Sequence, residues 1–411
     1  MSARENSSAR AQSALRNALY QFEPKVWVLT AIQFFSVLGL SICMPFLSLY
    51  LYEERGLSMT MVGTILLAGG LFSAISQALV ATLSDRFGRR PVLLAAALLS
   101  VFLYSGLAGL IGTSAPVWAI TVAYIAARSI LTITRPVISA TVADLTSRGK
   151  LTEAYGILRI GANIGWAAGP AIGGHLANFL SYGWLFALPA LTCAIIFVIV
   201  FFGIHESSHR VGSRVGFRSI LPSATHNSTF LVFTLLSLFL FTVMGQMTST
   251  LSVFTVSQVG FSTSQYGLLL TLNGLIVIFF QYPMTVALRH LAKSRALILG
   301  SLLYALGYLS FGWITQFKWA LVAMTIITAG EIIYSPVTLA VIGELSPQDQ
   351  RGQYMGVFGF SETIGIALGP LLGGILLDMF PFDPKLLWGP IASLALVAAL
   401  GYCWWARRVR L

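Results

Sequence analysis

Glu331 and Glu362 are the two acids in this sequence placed to carry a proton through an apolar environment. Glu331 stands near the middle of a long apolar run, in Gly330-Glu331-Ile332-Ile333-Tyr334-Ser335-Pro336, and Glu362 lies inside the next run. A carboxyl withdrawn from water can bind and release a proton near neutral pH. Arg128 sits near the middle of an earlier run, and Arg135 follows seven residues later, on nearly the same helical face. A charge near the centre of a bilayer costs several kcal/mol and usually faces a cavity. For the acids the competing reading is a structural ion pair with an arginine. For Arg135 it is a side chain that reaches back to the membrane surface. Asp144, at the end of the run that holds both arginines, suits gating or capping.

Chemistry on a covalent bond is not indicated. No nucleophile–base constellation is recognisable, and no Walker A pattern supports ATP hydrolysis. The histidines, at 175, 205, 209, 226 and 290, fall mostly in loops or at span ends. Cysteines 43, 193 and 403 each lie in an apolar run, with neither metal spacing nor a disulfide framework.

The elements that must position these groups are long apolar helices. The 411 residues are 56% hydrophobic and only 9% charged, with a mean hydropathy of +0.82. A soluble domain carries charge on about a quarter of its residues. A bilayer is crossed by a helix of about 20 residues. Twelve apolar segments are expected, at 26–52, 58–82, 91–112, 117–144, 153–178, 182–204, 229–257, 264–288, 295–315, 318–344, 353–378 and 386–406. The fold expected is an all-α polytopic membrane protein, with six-helix bundles at 26–204 and 229–406 joined by a cytoplasmic linker at 205–228. Residues 1–25 and 407–411 read as cytoplasmic tails.

The net charge of +11 does not point to nucleic acid, because the basic residues lie in loops between spans. With the N-terminus inside, one side of the membrane holds 19 of the 25 Lys and Arg. The other side holds Arg55, Lys318 and Lys385. That asymmetry orients the chain with both termini cytoplasmic.

The halves repeat. Gly165-Trp166-Ala167-Ala168-Gly169-Pro170-Ala171-Ile172-Gly173-Gly174 matches Gly365-Ile366-Ala367-Leu368-Gly369-Pro370-Leu371-Leu372-Gly373-Gly374. Upstream, Pro136 matches Pro336 and Asp144 is replaced by Glu344. Spans four and five thus recur as ten and eleven. An even separation keeps the same topology, so the pseudo-symmetry axis runs along the membrane normal. Gly161, Gly165, Gly169 and Gly173 form one small-residue stripe that lets backbones approach closely. Pro170 and Pro370 can bend their helices. Simple packing is the bland reading of this stripe, and a moving interface between halves is the sharper one.

The loop after span two reads Ser84-Asp85-Arg86-Phe87-Gly88-Arg89-Arg90-Pro91. With twelve spans and the duplicated glycine–proline motif, this order resembles the major facilitator superfamily, in particular its twelve-span drug–proton antiporters. The resemblance covers nearly the whole chain. It implies that Asp85, with Arg86, Arg89 and Arg90, latches the cytoplasmic face, and it links Arg128 to proton transfer. The motif around Arg128 is partial, with Leu131 and Thr132 where glutamine and glycine belong, and Ala81 stands where the loop pattern has glycine. The context of Glu331 is similar to that of multidrug–proton antiporters.

What the resemblance implies is a proton-coupled secondary transporter exporting small lipophilic or amphipathic compounds by alternating access. It would sit as a monomer in the cytoplasmic membrane, with protons, lipids and a small molecule as partners and no cofactor beyond the proton gradient. A transporter of one defined solute is the alternative, and a non-transporting receptor or scaffold the rival from another class. Candidate cavity residues are Gln33, Phe34, Asn163, Trp166, Phe241, Met244, Gln246, Asn273 and Gln281. Each of them can equally serve helix packing. The first span has no acid between Lys25 and Glu53, which weighs against obligate cationic ligands.

Overall fold

The computed structural model describes residues 24–146, 150–204, 227–347 and 350–408. Nearly all of the 205–228 linker and of the 1–25 tail lies outside the described residues. Among the described residues twelve long helices follow one another. In the first half they are α1 (Pro24–Glu54), α2 (Met59–Phe87), α3 (Arg89–Gly112), α4 (Val117–Leu145), α5 (Leu151–Leu176) and α6 (Tyr182–Gly203). The second half holds α7 (Ser228–Gln258), α8 (Thr263–Ala287), α9 (Lys293–Trp313), α10 (Phe317–Leu345), α11 (Arg351–Met379) and α12 (Pro384–Arg408). All but α5 are long and apolar enough by themselves to cross a membrane. Glu153, Arg159 and its glycines make α5 less apolar, and the bundle shields it between α1 and α8.

The duplication is visible in packing. In the first half α1 packs on α5 and α6, α3 on α6, and α2 on α4. In the second half α7 packs on α11 and α12, α9 on α12, and α8 on α10. The halves meet through α2 against α11 and through α5 against α8, one contact being the symmetry image of the other. The repeat reaches small details. Both α1 and α7 end in a π turn, Tyr50–Glu54 and Phe254–Gln258. Each is followed by a glycine of positive φ, Gly56 at +62° and Gly260 at +83°, where a side chain would be strained. A serine then caps the next helix, Ser58 on α2 and Ser262, in a full capping box with Gln265, on α8.

The outer surface is what a bilayer needs. Phe72, Phe102, Phe202, Phe279 and Leu400 are exposed. Trp118, Trp184, Trp313 and Trp319 are exposed at helix ends on one side of the molecule, where aromatic residues mark a membrane–water boundary.

Pro136 shapes the break in the middle of α4. Proline has no N–H for the carbonyl four residues earlier, and α4 is interrupted at Ile133. The hydroxyl of Thr134 donates to the Leu131 carbonyl at 2.7 Å and that of Thr132 to the Ser129 carbonyl at 3.1 Å. Pro336, its counterpart in α10, leaves that helix continuous.

Candidate functional site

A cavity of about 550 Å³ lies between the halves. From the first half Gln33, Arg135, Arg159, Asn163 and Trp166 line it, and from the second Phe241, Met244, Tyr334, Phe358 and Glu362. The broken helix brings Thr132, Thr134 and Arg135 to the wall together. The cavity runs from Trp166, halfway along α5, to Tyr155 and Ser139 near the end that carries the α2–α3 and α4–α5 connections. Tyr155 donates to the Ser139 carbonyl at 3.1 Å there.

Behind the wall lies Glu331. Its carboxylate accepts a hydrogen bond from Asn273 Nδ2 at 2.8 Å. The same amide nitrogen donates to Thr328 Oγ1 at 3.1 Å, and Asn273 Oδ1 accepts from Trp166 Nε1 at 3.2 Å. Asn273 is 1% exposed, so a buried amide links the half-buried Trp166 on α5, across the boundary between halves, to the half-buried acid on α10. Glu362 faces the cavity itself. The fields of Arg135 and Arg159 reach it, and the field of Arg159 also reaches Glu331.

Arg128 is elsewhere. Its Nη1 donates to Tyr124 Oη at 2.7 Å and lies 3.9 Å from Met44 Sδ, inside the first bundle. Among the described residues no carboxylate pairs with it. Asp144 pairs with Arg89 at 3.3 Å, and in the second half Lys293 pairs with Glu344, the same contact by symmetry. Arg89 also donates to Ser84 Oγ at 2.6 Å, Arg90 donates to the Phe201 carbonyl at 2.9 Å, and Arg86 lies over the Phe87 ring. These partners all belong to the first half. The Asp85 side chain lies outside the described residues.

Four expected wall residues are placed differently. Gln246 is fully buried, donates to the Thr242 and Gly369 carbonyls and accepts from Thr250, so it ties α7 to α11. Phe34 packs edge-on against Phe35 and offers its backbone to Gly165. Gln281 donates to the Ile332 carbonyl at 3.0 Å, joining α8 to α10. Asn273 sits one layer behind the wall, as described above. Polar residue type within an apolar run does not reveal which neighbour satisfies it.

The glycine stripe also needs correction. Gly165 and Gly169 face α1, not the other half. A Cβ on Gly165 would lie 2.7 Å from the Phe34 carbonyl oxygen, and one on Gly169 would lie 2.8 Å from Ser41 Cβ. Gly369 likewise faces Thr242 and Gly245 of α7. The boundary between halves uses the adjoining face. There Ala167, Pro170 and Gly174 meet Gly274, Gly267 and Thr263 of α8. Ala367, Pro370 and Gly374 meet Gly70, Gly63 and Met59 of α2. Pro170 and Pro370 are therefore at the boundary, while Gly165, Gly169 and Gly369 pack inside their own bundles.

Opposite the cavity the halves are locked together. Asp378, at the end of α11, accepts from the Met59 and Thr60 backbone nitrogens at 2.9 and 2.7 Å. Asn178, beyond α5, donates to Ser264 Oγ at 2.6 Å and accepts from Thr263 Oγ1 at 2.5 Å. Ser48 donates to Ser249 Oγ at 3.0 Å and Ser257 to Glu53 at 2.6 Å, adding contacts between α1 and α7. Reasoning from sequence did not single out Asp378. Its signal is the repeat itself, which aligns Asp378 with Asn178.

Two like bundles closing on a central polar cavity define a multi-pass membrane transport protein. The model of the Major Facilitator Superfamily matches residues 29–333 and 234–410, and the chain belongs to that superfamily. It is a transporter and not an enzyme. The uncharacterized MFS-type transporter YttB of Bacillus subtilis is 25% identical over 354 residues, 84% of this chain and 87% of that one. The class E tetracycline resistance protein of Escherichia coli is 27% identical over 360 residues, 85% of this chain and 87% of that one. A Na(+), Li(+), K(+)/H(+) antiporter of Planococcus maritimus is 23% identical over 370 residues, 82% and 86%. The crystal structure of the nucleoside transporter NupG superposes with a TM-score of 0.77 at 12% identity, over 93% of this chain and 99% of that one. It shares the fold.

Proposed function

We propose that the protein is a proton-coupled secondary transporter that exports small lipophilic or amphipathic compounds across the cytoplasmic membrane by alternating access. The observation that carries this reading is the chain from Trp166 through Asn273 to Glu331. It joins a wall of the cavity to a titratable group that a static scaffold has no need to bury. The names of relatives that resist tetracycline or exchange cations for protons are consistent with it.

In this reading the cavity faces the cytoplasm, since it extends toward the end rich in basic residues. Substrate enters there and lies against Trp166, Phe241 and Met244, which suit varied apolar bodies. The halves then part at the Asp378 end and close at the cytoplasmic end. Glu331 exchanges its proton between the two states, and Glu362 is the second acid whose charge the cycle can change.

Glu331→Gln is the direct test. Glutamine still offers an oxygen to Asn273, so the fold is expected to survive, as judged by an unchanged melting temperature. In proteoliposomes, uphill export driven by a pH gradient is expected to vanish while downhill exchange of substrate persists. Full proton-driven accumulation by the variant would remove Glu331 from the coupling role. Broad acceptance of unrelated compounds in the same assay separates an exporter of many compounds from a carrier of one solute.

A further inference from the structure

The charges facing the cavity do not balance. Arg135 and Arg159 lie on its wall with Glu362, and among the described residues no other ionised group lines it. Both arginines are exposed to the cavity. Among the described residues neither has a hydrogen-bond or ion-pair partner, since the ion pairs are Arg89 with Asp144 and Lys293 with Glu344. A guanidinium stays charged and presents a planar fork of donors that matches carboxylate or phosphate oxygens. Two of them held at membrane depth without a partner are costly unless water or a ligand serves them. A third polar group points the same way. Ser36 lines the cavity, is only 5% exposed, and its hydroxyl has no partner among the described residues. The remaining wall mixes polar side chains, among them Gln33, Gln77 and Asn163, with an apolar and aromatic side formed by Trp166, Phe241, Met244 and Phe358.

We infer that the cavity takes an amphipathic organic anion, with a carboxylate, phosphate or sulfonate head held by Arg135 and Arg159 and an apolar body on the aromatic wall. This rests on reading the cavity as the substrate chamber. A cation gains nothing from two positive groups against one negative, and α1 supplies no acid to the cavity. The Glu362 carboxylate lines the same cavity and, when ionised, would compete with the ligand for the same two guanidinium groups. A proton that reaches Glu362 therefore helps the anion to bind and does not displace it. Exchange of a proton for an anionic substrate then falls to Glu331, which lies behind the wall and outside the cavity lining.

The test uses three probes with the same aromatic body: naphthylacetate, naphthylethanol and naphthylethylammonium. Binding to the purified full chain is measured by calorimetry in phosphatidylcholine nanodiscs. Naphthylacetate is expected to bind tightest and naphthylethylammonium weakest. Arg135→Gln and Arg159→Gln should each weaken naphthylacetate about tenfold or more, the loss expected for a charged hydrogen-bond partner. Naphthylethanol binding should stay within about twofold of wild type, which also shows that the variants are folded. Glu362→Gln should tighten naphthylacetate. Equal binding of acid and cation, or naphthylacetate unchanged in both arginine variants, overturns the proposal. Repeating the titration with phosphatidylglycerol distinguishes the source of the anion: competition identifies an anionic lipid, and its absence a soluble acid. Proteoliposome flux of naphthylacetate is read separately. Binding that follows this pattern with no flux sinks the transport reading and leaves the ligand class standing.

Discussion

Gly174→Leu is expected to abolish transport while leaving the protein folded, and Gly169→Leu is expected to destabilise the fold without parting the halves. Both glycines lie on α5, but they point at different partners. A Cβ on Gly174 would lie 2.5 Å from the Thr263 carbonyl oxygen and 3.1 Å from Gly267 Cα, both in the other half. A leucine there cannot coexist with closed halves at this end. Overpacking costs about 1–3 kcal/mol, and each 1.4 kcal/mol is tenfold in population. The closed state should lose roughly five- to hundredfold in weight, and the molecule should rest with this end open. Gly169 faces Ser41 and Ile42 on α1, which move with it. Its leucine should lower the melting temperature without changing the separation of the halves. Spin labels at Phe179 and Phe382, both highly exposed and in different halves, read that separation. Cys403, the exposed cysteine, is first changed to serine. A longer label distance in Gly169→Leu, or none in Gly174→Leu, would reverse the assignment of the two faces.

The contrast shows what the chain discloses before it folds. Helix positions were legible because a bilayer demands runs of apolar residues. The structure places all twelve within a few residues of the expected segments, from Pro24–Glu54 to Pro384–Arg408. The parallel duplication was legible because Gly165, Ala167, Gly169, Pro170, Gly173 and Gly174 recur as Gly365, Ala367, Gly369, Pro370, Gly373 and Gly374. Which way a face points was not. At 3.6 residues per turn, α5 carries one small face through Gly161, Gly165, Gly169 and Gly173 and another through Ala167, Pro170 and Gly174. Both read as close-packing surfaces, and only the neighbours tell bundle from boundary. The same holds for Gln246 and Asn273. Each is an amide in an apolar run, yet Gln246 ties two helices of one bundle while Asn273 links Trp166 to Glu331. Arg135 was ambiguous for another reason. Pro136 predicts a bend, but not that the bend turns Arg135 into the cavity.

Asp378 gives the second large expected effect, because it completes the N-terminus of α2. A helix leaves its first four N–H groups without internal partners. Here the four are those of Ser58, Met59, Thr60 and Met61: Met59 and Thr60 donate to the Asp378 carboxylate and Met61 to the Ser58 hydroxyl, while Val62 makes the first ordinary helical bond, to the Ser58 carbonyl. Two of the four donors are thus satisfied from the other half of the molecule. A carboxylate is also favoured by the positive end of the helix dipole. Hydrogen bonds to charged groups are worth about 1.5–3 kcal/mol each. When the halves part, water can serve both donors and the carboxylate, so only the lower part of that range should count toward closure. About 2 kcal/mol is close to a thirtyfold shift in population. Asp378→Ala should therefore move the Phe179–Phe382 label distribution toward the open state by that order. Asp378→Asn keeps one acceptor and loses the charge, so it should fall between alanine and wild type. Asn178→Ala removes the symmetry-related contact, which has no formal charge, and should shift the distribution less than Asp378→Ala. If Asp378→Ala leaves the distribution unchanged, or shifts it no more than Asn178→Ala does, the closure at this end rests on the packing of Gly174 and Gly374 and not on the carboxylate.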